Sequence, residues 1–208
     1  MTSRWLDHHD SCDPRIDPSS QPVLLGDCVY AKGMSDSKRT PWKYSISKNS
    51  PWSQLPLPPN LEIGKYVLTT YRSQLVWIGG TVPIAKYELK VSNTIFVLEE
   101  GKGWKGGIIP PLPEELNLNN LLATSDGEYL IVTCREGDKV KLLIYDGHEW
   151  KQRDGPDLEG WMVGCIIAHK GTVFLTEHGD STCFFYKTSQ NSLLAVTGNS
   201  TWKSEDPK

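Results

Sequence analysis

Apolar residues along the chain come in short runs, each four to seven residues long and broken by turn-forming residues. Tyr66-Val67-Leu68-Thr69-Thr70 passes through Arg72-Ser73 into Gln74-Leu75-Val76-Trp77-Ile78-Gly79-Gly80. Asn120-Leu121-Leu122-Ala123-Thr124-Ser125 meets Glu128-Tyr129-Leu130-Ile131-Val132-Thr133 across Asp126-Gly127. Asp-Gly between apolar runs signals a hairpin, because both residues tolerate positive φ. The runs are rich in β-branched and aromatic residues, which fit a pleated surface. No segment sustains a 3.6-residue apolar period, although Leu116 to Leu122 is ambiguous between helix and strand. The pattern predicts an all-β chain.

The runs repeat in order. Trp5, Trp52, Trp104, Trp150 and Trp202 are 47, 52, 46 and 52 residues apart. Between successive markers lie a strand, a turn, a second strand, a Gly-containing loop and an aromatic third strand. In the second interval the third strand is Thr94-Ile95-Phe96-Val97-Leu98, and in the third it is Val140-Lys141-Leu142-Leu143-Ile144-Tyr145. The fourth interval offers Val163–Ala168, Thr172–Thr176 and Thr182–Tyr186. The first is compressed into Val23–Leu25, Cys28–Ala31 and Trp42–Ile46. Pro-rich stretches recur after the markers at Leu55–Pro59, Pro110–Pro113 and Asp154–Pro156. Proline ends a strand by removing a ladder donor, so these read as connections.

A period near 50 with four strands per unit is that of a propeller blade. Trp52-Ser53-Gln54-Leu55-Pro56 resembles the Trp-x-x-Leu-Pro ending of a kelch unit, and Leu75–Gly80 its second strand closing in a double glycine. Tyr145-Asp146 ahead of Trp150 resembles the Tyr-Asp…Trp half of the motif, and Tyr44 and Phe96 hold similar positions. The resemblance to kelch-repeat β-propellers covers about residues 20 to 202. Only the second unit carries the double glycine. The WD40 dipeptides do not recur, and Gly147-His148 is the only Gly-His.

The resemblance implies about four four-stranded antiparallel blades, spanning 19–56, 57–109, 110–156 and 157–202. An irregular polar segment (1–18) with one outer strand around Trp5 precedes them, and a disordered tail (203–208) follows. Kelch propellers are usually rings of six or seven blades, so four units imply a partial, open propeller. Its unpaired blade edges would be available for self-association or for a partner that completes the ring. Trp5, Trp52, Trp104, Trp150 and Trp202, with Tyr145, Gly79 and Gly80, are the expected structural markers. Each Trp is expected to pack against the next blade and donate its indole N–H to a loop carbonyl. The glycine pair is expected near the crowded axis.

Charge and composition narrow the function. The 208 residues carry 22 Lys+Arg against 25 Asp+Glu, a formal −3, which excludes a strongly basic nucleic-acid footprint. The 18 Gly and 14 Pro fit frequent turns. No apolar stretch is long enough to span a membrane, and the N-terminus lacks the apolar region of a secretory signal. The five cysteines have no close-spaced pair and read as reduced thiols, so the expected compartment is the cytoplasm.

No nucleophile elbow, phosphate loop or recurring carboxylate pair is present. His8, His9, Asp10 and Cys12 lie close together but lack a second ligand cluster, so neither metal nor cofactor is expected. The expectation is therefore a non-enzymatic protein-interaction module. The second-to-third-strand loops would gather at one face, carrying Lys38, Arg39, Lys86, Arg135, Glu136, Asp138, Glu177 and His178, with Trp42 beside them. Kelch-like domains typically hold a protein or peptide partner there. The resemblance extends to adaptors that recruit substrates to ubiquitin ligases. A propeller-type enzyme or carbohydrate-binding domain is the alternative.

Overall fold

The computed structural model describes residues 15–17, 20–35, 38–85, 88–113, 117–136, 139–157, 163–177, 183–187 and 192–196. Trp5, Trp202, Lys86, Asp138, His178 and the His8–Cys12 group lie outside them. All regular structure among the described residues is strand, arranged as a four-blade β-propeller of antiparallel sheets.

Blade 1 holds β1 (Arg15–Ile16), β2 (Val23–Leu25), β3 (Cys28–Ser35), β4 (Lys38–Ser45) and β5 (Ser53–Gln54). Its inner strand is broken: β2 pairs the first half of β3, and β1 pairs the second half. Blade 1 thus begins earlier than residue 19, because Arg15–Ile16 completes the pairing that β2 is too short to supply.

Blade 2 runs through β6 (Glu62–Tyr71), β7 (Gln74–Ala85), β8 (Glu88–Val91), β9 (Ile95–Glu99) and β10 (Gly103–Gly106). The stretch after Gly80, expected as the Gly-containing loop between the second and third strands, is largely ordered ribbon instead. Strand β7 pairs β9 over Val76–Ile78, then continues and pairs β8 to its end. Gly79 and Gly80, at φ +87° and +105°, make the bend between these two stretches. They sit one strand off the axis, where Leu61 Cδ1 lies only 3.1 Å from where a Gly80 Cβ would be.

Blade 3 comprises β11 (Asn117–Ser125), β12 (Leu130–Glu136), β13 (Lys139–Tyr145) and β14 (Trp150–Asp157). The ambiguous Leu116–Leu122 stretch falls in strand β11. The third Pro-rich segment lies within β14, not in a connection. Blade 4 comprises β15 (Val163–His169), β16 (Thr172–Glu177), β17 (Cys183–Lys187) and β18 (Ser192–Val196).

Three apolar seams join the blades. Tyr30 of blade 1 meets Tyr66, Leu68, Leu75, Trp77 and Trp104 of blade 2. Val76, Ile78, Ile95 and Val97 meet Leu130, Val132, Leu143 and Tyr145 of blade 3, with Tyr71 edge-on to Tyr145 at 5.9 Å. Ile131, Leu142 and Ile144 meet Ile166, Val173, Leu175 and Tyr186 of blade 4. A blade has two apolar faces and cannot bury both alone, so stability is shared between neighbours. Each fully buried aliphatic or aromatic side chain contributes about 1.5–3 kcal/mol.

Two of the marker tryptophans, Trp104 and Trp150, close the outer rims of the first two seams. Trp104 Nε1 donates to Pro56 O at 2.7 Å, and Trp150 Nε1 donates to Pro110 O at 3.0 Å. Both acceptors lie in the connection entering that Trp's own blade. The ring therefore packs against the preceding seam, with Leu55 and Leu57 around Trp104 and Tyr71 near Trp150. The expectation of packing against the next blade is corrected accordingly.

Blades 1 and 4 meet where Gln21 Nε2 donates to Ile166 O at 3.1 Å. The faces these two blades turn away from blades 2 and 3 carry exposed apolar residues, with Leu24 64% and Ile167 52% exposed.

Candidate interaction site on the hairpin face

In every blade the second-to-third-strand hairpin leaves the sheet at the same end. In blades 1 and 2 these hairpins outrun the sheets. Strands β3 and β4 pair over eight residues, whereas β4 pairs β5 only at Trp42 and Lys43. Strand β7 keeps β6 as a partner as far as Thr81, and from there to Ala85 it runs on as a two-stranded extension with β8.

At the base of these ribbons lies a polar group in the blade 1–blade 2 seam. Alternation puts Cys28, Tyr30 and Lys32 on the β3 face toward blade 2. Asp17 N donates to Lys32 O at 2.9 Å, and Ser20 N and Oγ both donate to Asp17 O, fixing the turn after β1. Arg39 Nε lies 3.2 Å from Asp17 Oδ2, joining an exposed guanidinium to a buried carboxylate. Lys32 Nζ sits 4.9 Å above the Tyr66 ring. That ring stacks on Trp77 at 3.6 Å, and Trp77 Nε1 donates to Gly79 O at 3.0 Å.

Burial holds the Lys32 ammonium below its usual range, opposed by the attraction of Asp17. Burial also pushes the Tyr66 hydroxyl far up, reinforced by Asp17. Tyr66 is 3% exposed, and its hydroxyl has no hydrogen-bond partner among the described residues. A cation and a hydroxyl held in low dielectric favour a nearby anion strongly.

The opposite end of the same seam opens as a groove of about 890 Å³ lined by Asp27, Tyr30, Lys43, Gln74, Glu99 and Lys102. Its carboxylates are engaged in turns and surface pairs. Asp27 accepts from Ser47 N at 2.9 Å, and Glu99 is bridged by Lys102 and Lys105 at 3.5 and 3.4 Å. Both carboxyls are held below their usual range, chiefly by the Ser47 hydroxyl and by Lys105 respectively.

Several residues singled out from sequence share the hairpin end by backbone position. Lys38 and Arg39 begin β4, Arg135 and Glu136 end β12, and Glu177 ends β16. Lys86, Asp138 and His178 fall outside the described residues. Trp42 stands apart. It pairs with Ala31 on the face of blade 1 turned away from blade 2, half-buried, its indole N–H without a partner among the described residues. Asp17, Lys32 and Tyr66 went unrecognised. The signal was available for Lys32, a lysine on the inward phase of the alternation Cys28, Tyr30, Lys32. Among the described residues no group of His, Cys, Asp and Glu side chains converges as a metal site, and no helix could cross a membrane.

No protein-family model and no curated protein matches the chain. Solved structures do. YjhT aligns with a TM-score of 0.63 at 12% identity, over 90% of this chain and 67% of that one. The β-propeller domain of the Trilobed protease from Pyrococcus furiosus, described as having an open velcro topology, aligns at 0.52 and 16%, over 83% and 52%. Puromycin hydrolase aligns at 0.52 and 12%, over 90% and 29%. The chain thus spans from under a third to two thirds of these neighbours' lengths. They share its propeller fold. They also overturn the expectation that the chain is not an enzyme. Propellers of this shape occur in a hydrolase and in a protease, so missing sequence motifs do not exclude catalysis.

Proposed function

We propose that the chain is a protein-interaction module that holds a peptide or protein partner on the face bearing the second-to-third-strand hairpins, in the manner of the kelch-like units it resembles. One observation carries this reading. At the same end of adjacent blades, among the described residues, β4 has a free outer edge over Lys38–Thr40 and β7 and β8 run past Thr81 with no third strand, and such ribbon edges are ready to pair. Such ribbons offer backbone donors and acceptors for a partner strand, with charged side chains beside them. Substrate recruitment to ubiquitin-ligase machinery is one use of such a face.

The test is affinity capture with the wild-type chain and two variants. In one, residues 82–91 are replaced by a two-residue turn. In the other, Lys38 and Arg39 are both changed to Glu. Far-UV circular dichroism checks that each variant keeps its sheet. Loss of the same captured protein in both folded variants supports the assignment, and its retention in both refutes it.

A further inference from the structure

We propose that the inner end of the blade 1–blade 2 seam is a receptor for a carboxylate, bridged by Arg39 and by Lys32, which lies over the buried Tyr66 ring. This rests on the hairpin-face reading and names the chemistry that the face recognises.

Three observations lead there. Lys32 is half-buried and makes no ion pair among the described residues, while its ammonium lies over the Tyr66 ring at 4.9 Å. Removing a cation from water is expensive unless an anion sits beside it. Arg39 turns its Nε edge to Asp17 at 3.2 Å, and its side chain is 49% exposed, so the remainder of the guanidinium fork faces solvent. An arginine fork fits a carboxylate with two parallel hydrogen bonds. The Tyr66 ring lies under Lys32, and its hydroxyl is a buried donor without a partner among the described residues.

The charge count selects the ligand. Among the described residues Lys32 and Arg39 carry two positive charges against the single carboxylate of Asp17, which leaves one positive charge. A monoanionic carboxylate neutralises that surplus. A phosphate dianion exceeds it and meets Asp17 at close range. The placement also fits a peptide. The cluster sits at the root of the β3–β4 ribbon, so an extended segment paired along the free edge of β4 would deliver an acidic side chain or its own C-terminus to Arg39 and Lys32.

The test follows the backbone amide resonances of Asp17, Lys32 and Tyr66 in the ¹⁵N-labelled full chain during titration with defined probes. One probe is an acidic peptide amidated at its C-terminus. The second is a neutral peptide with a free C-terminus, and the third is the same neutral peptide amidated. Saturable shifts with the first or second probe and none with the third support the site, and the responding arm names the carboxylate source. Lys32→Met and Arg39→Gln should each weaken that binding about tenfold, as expected from losing one charge-assisted bond. Arg39 is exposed, so R39Q carries the test if K32M fails to fold.

Absence of saturation with both carboxylate probes overturns the proposal, as does tighter binding of inorganic phosphate than of either. The hairpin-face reading can fail separately. A partner lost on shortening the β7–β8 ribbon but captured normally by K32M refutes the carboxylate site alone. A partner retained by both variants refutes both.

Discussion

The rim tryptophans give a sharp quantitative test, because Trp104 and Trp150 make the same bond in different surroundings. Trp104 is 8% exposed, stands edge-on to Trp77 at 5.7 Å, and donates to Pro56 O at 2.7 Å in a partly buried setting. Trp104→Phe keeps a six-membered ring but removes the N–H and the pyrrole half of the ring system. Loss of the hydrogen bond costs about 1 kcal/mol. Loss of part of the edge-on aromatic contact adds up to about 1 kcal/mol. The expected destabilisation is about 2 kcal/mol.

Trp150→Phe removes a 3.0 Å bond in an exposed setting from a half-buried ring. Water there replaces the lost donor, so the expected cost is about 0.5 kcal/mol. Urea unfolding followed by far-UV circular dichroism reads both, with equal m-values and a larger drop in midpoint for Trp104→Phe. Equal losses, or a larger loss for Trp150→Phe, would refute the argument that burial of the rim decides the strength of the seam.

Other expectations follow from single contacts. Gly80→Ala combines φ +105° with Leu61 Cδ1 at 3.1 Å, and should cost about 1–3 kcal/mol by chemical denaturation. Asp126→Ala should cost about 1–2 kcal/mol, because Asp126 Oδ1 accepts from Glu128 N and Tyr129 N while Oδ2 accepts from Gly171 N of blade 4. Asp27 and Asp146 are held below their ordinary 3.8, chiefly by the Ser47 hydroxyl and by Lys151, so the folded chain binds fewer protons than the unfolded one near that pH. Their stabilisation is present in full above about pH 4 and is lost as pH falls through their folded values. Urea midpoints measured from pH 6 down to pH 3 should therefore drop below about pH 4, and a flat profile there would contradict this.

The strands were legible because the signals that make them are local. Alternation, β-branched runs and Asp-Gly turns act over two to eight residues. The hairpin forms at Asp126-Gly127, but only Gly127 takes positive φ, and Asp126 instead caps a four-residue loop with its carboxylate. Errors arose where a local signal had two meanings. Gly79-Gly80 read as the end of a strand, yet β7 continues past it, because positive φ at two successive glycines bends the strand without stopping its pairing. Asp154-Gly155-Pro156 read as a linker, yet it completes β14. Gly155 lies so close to Val140 that a Cβ there would meet its carbonyl at 2.9 Å.

The candidate site was less legible, for a different reason. Arg39 was visible as a charge near a loop, but its role depends on Asp17, which lies more than twenty residues away in sequence. Lys32 and Tyr66 lie in different blades. Whether a lysine on β3 is solvated or desolvated depends on what blade 2 brings against it.

By itself the sequence determined the all-β class, the near-50-residue unit and Trp104 and Trp150 as recurring positions, since each depends on neighbouring residues or on spacing. Only the tertiary structure decided which seam each tryptophan seals, how far the ribbons run beyond the sheets, and that Asp17, Lys32, Arg39 and Tyr66 share one desolvated place. Burial and electrostatic environment are sums over atoms from several blades, and no single stretch of chain contains those sums.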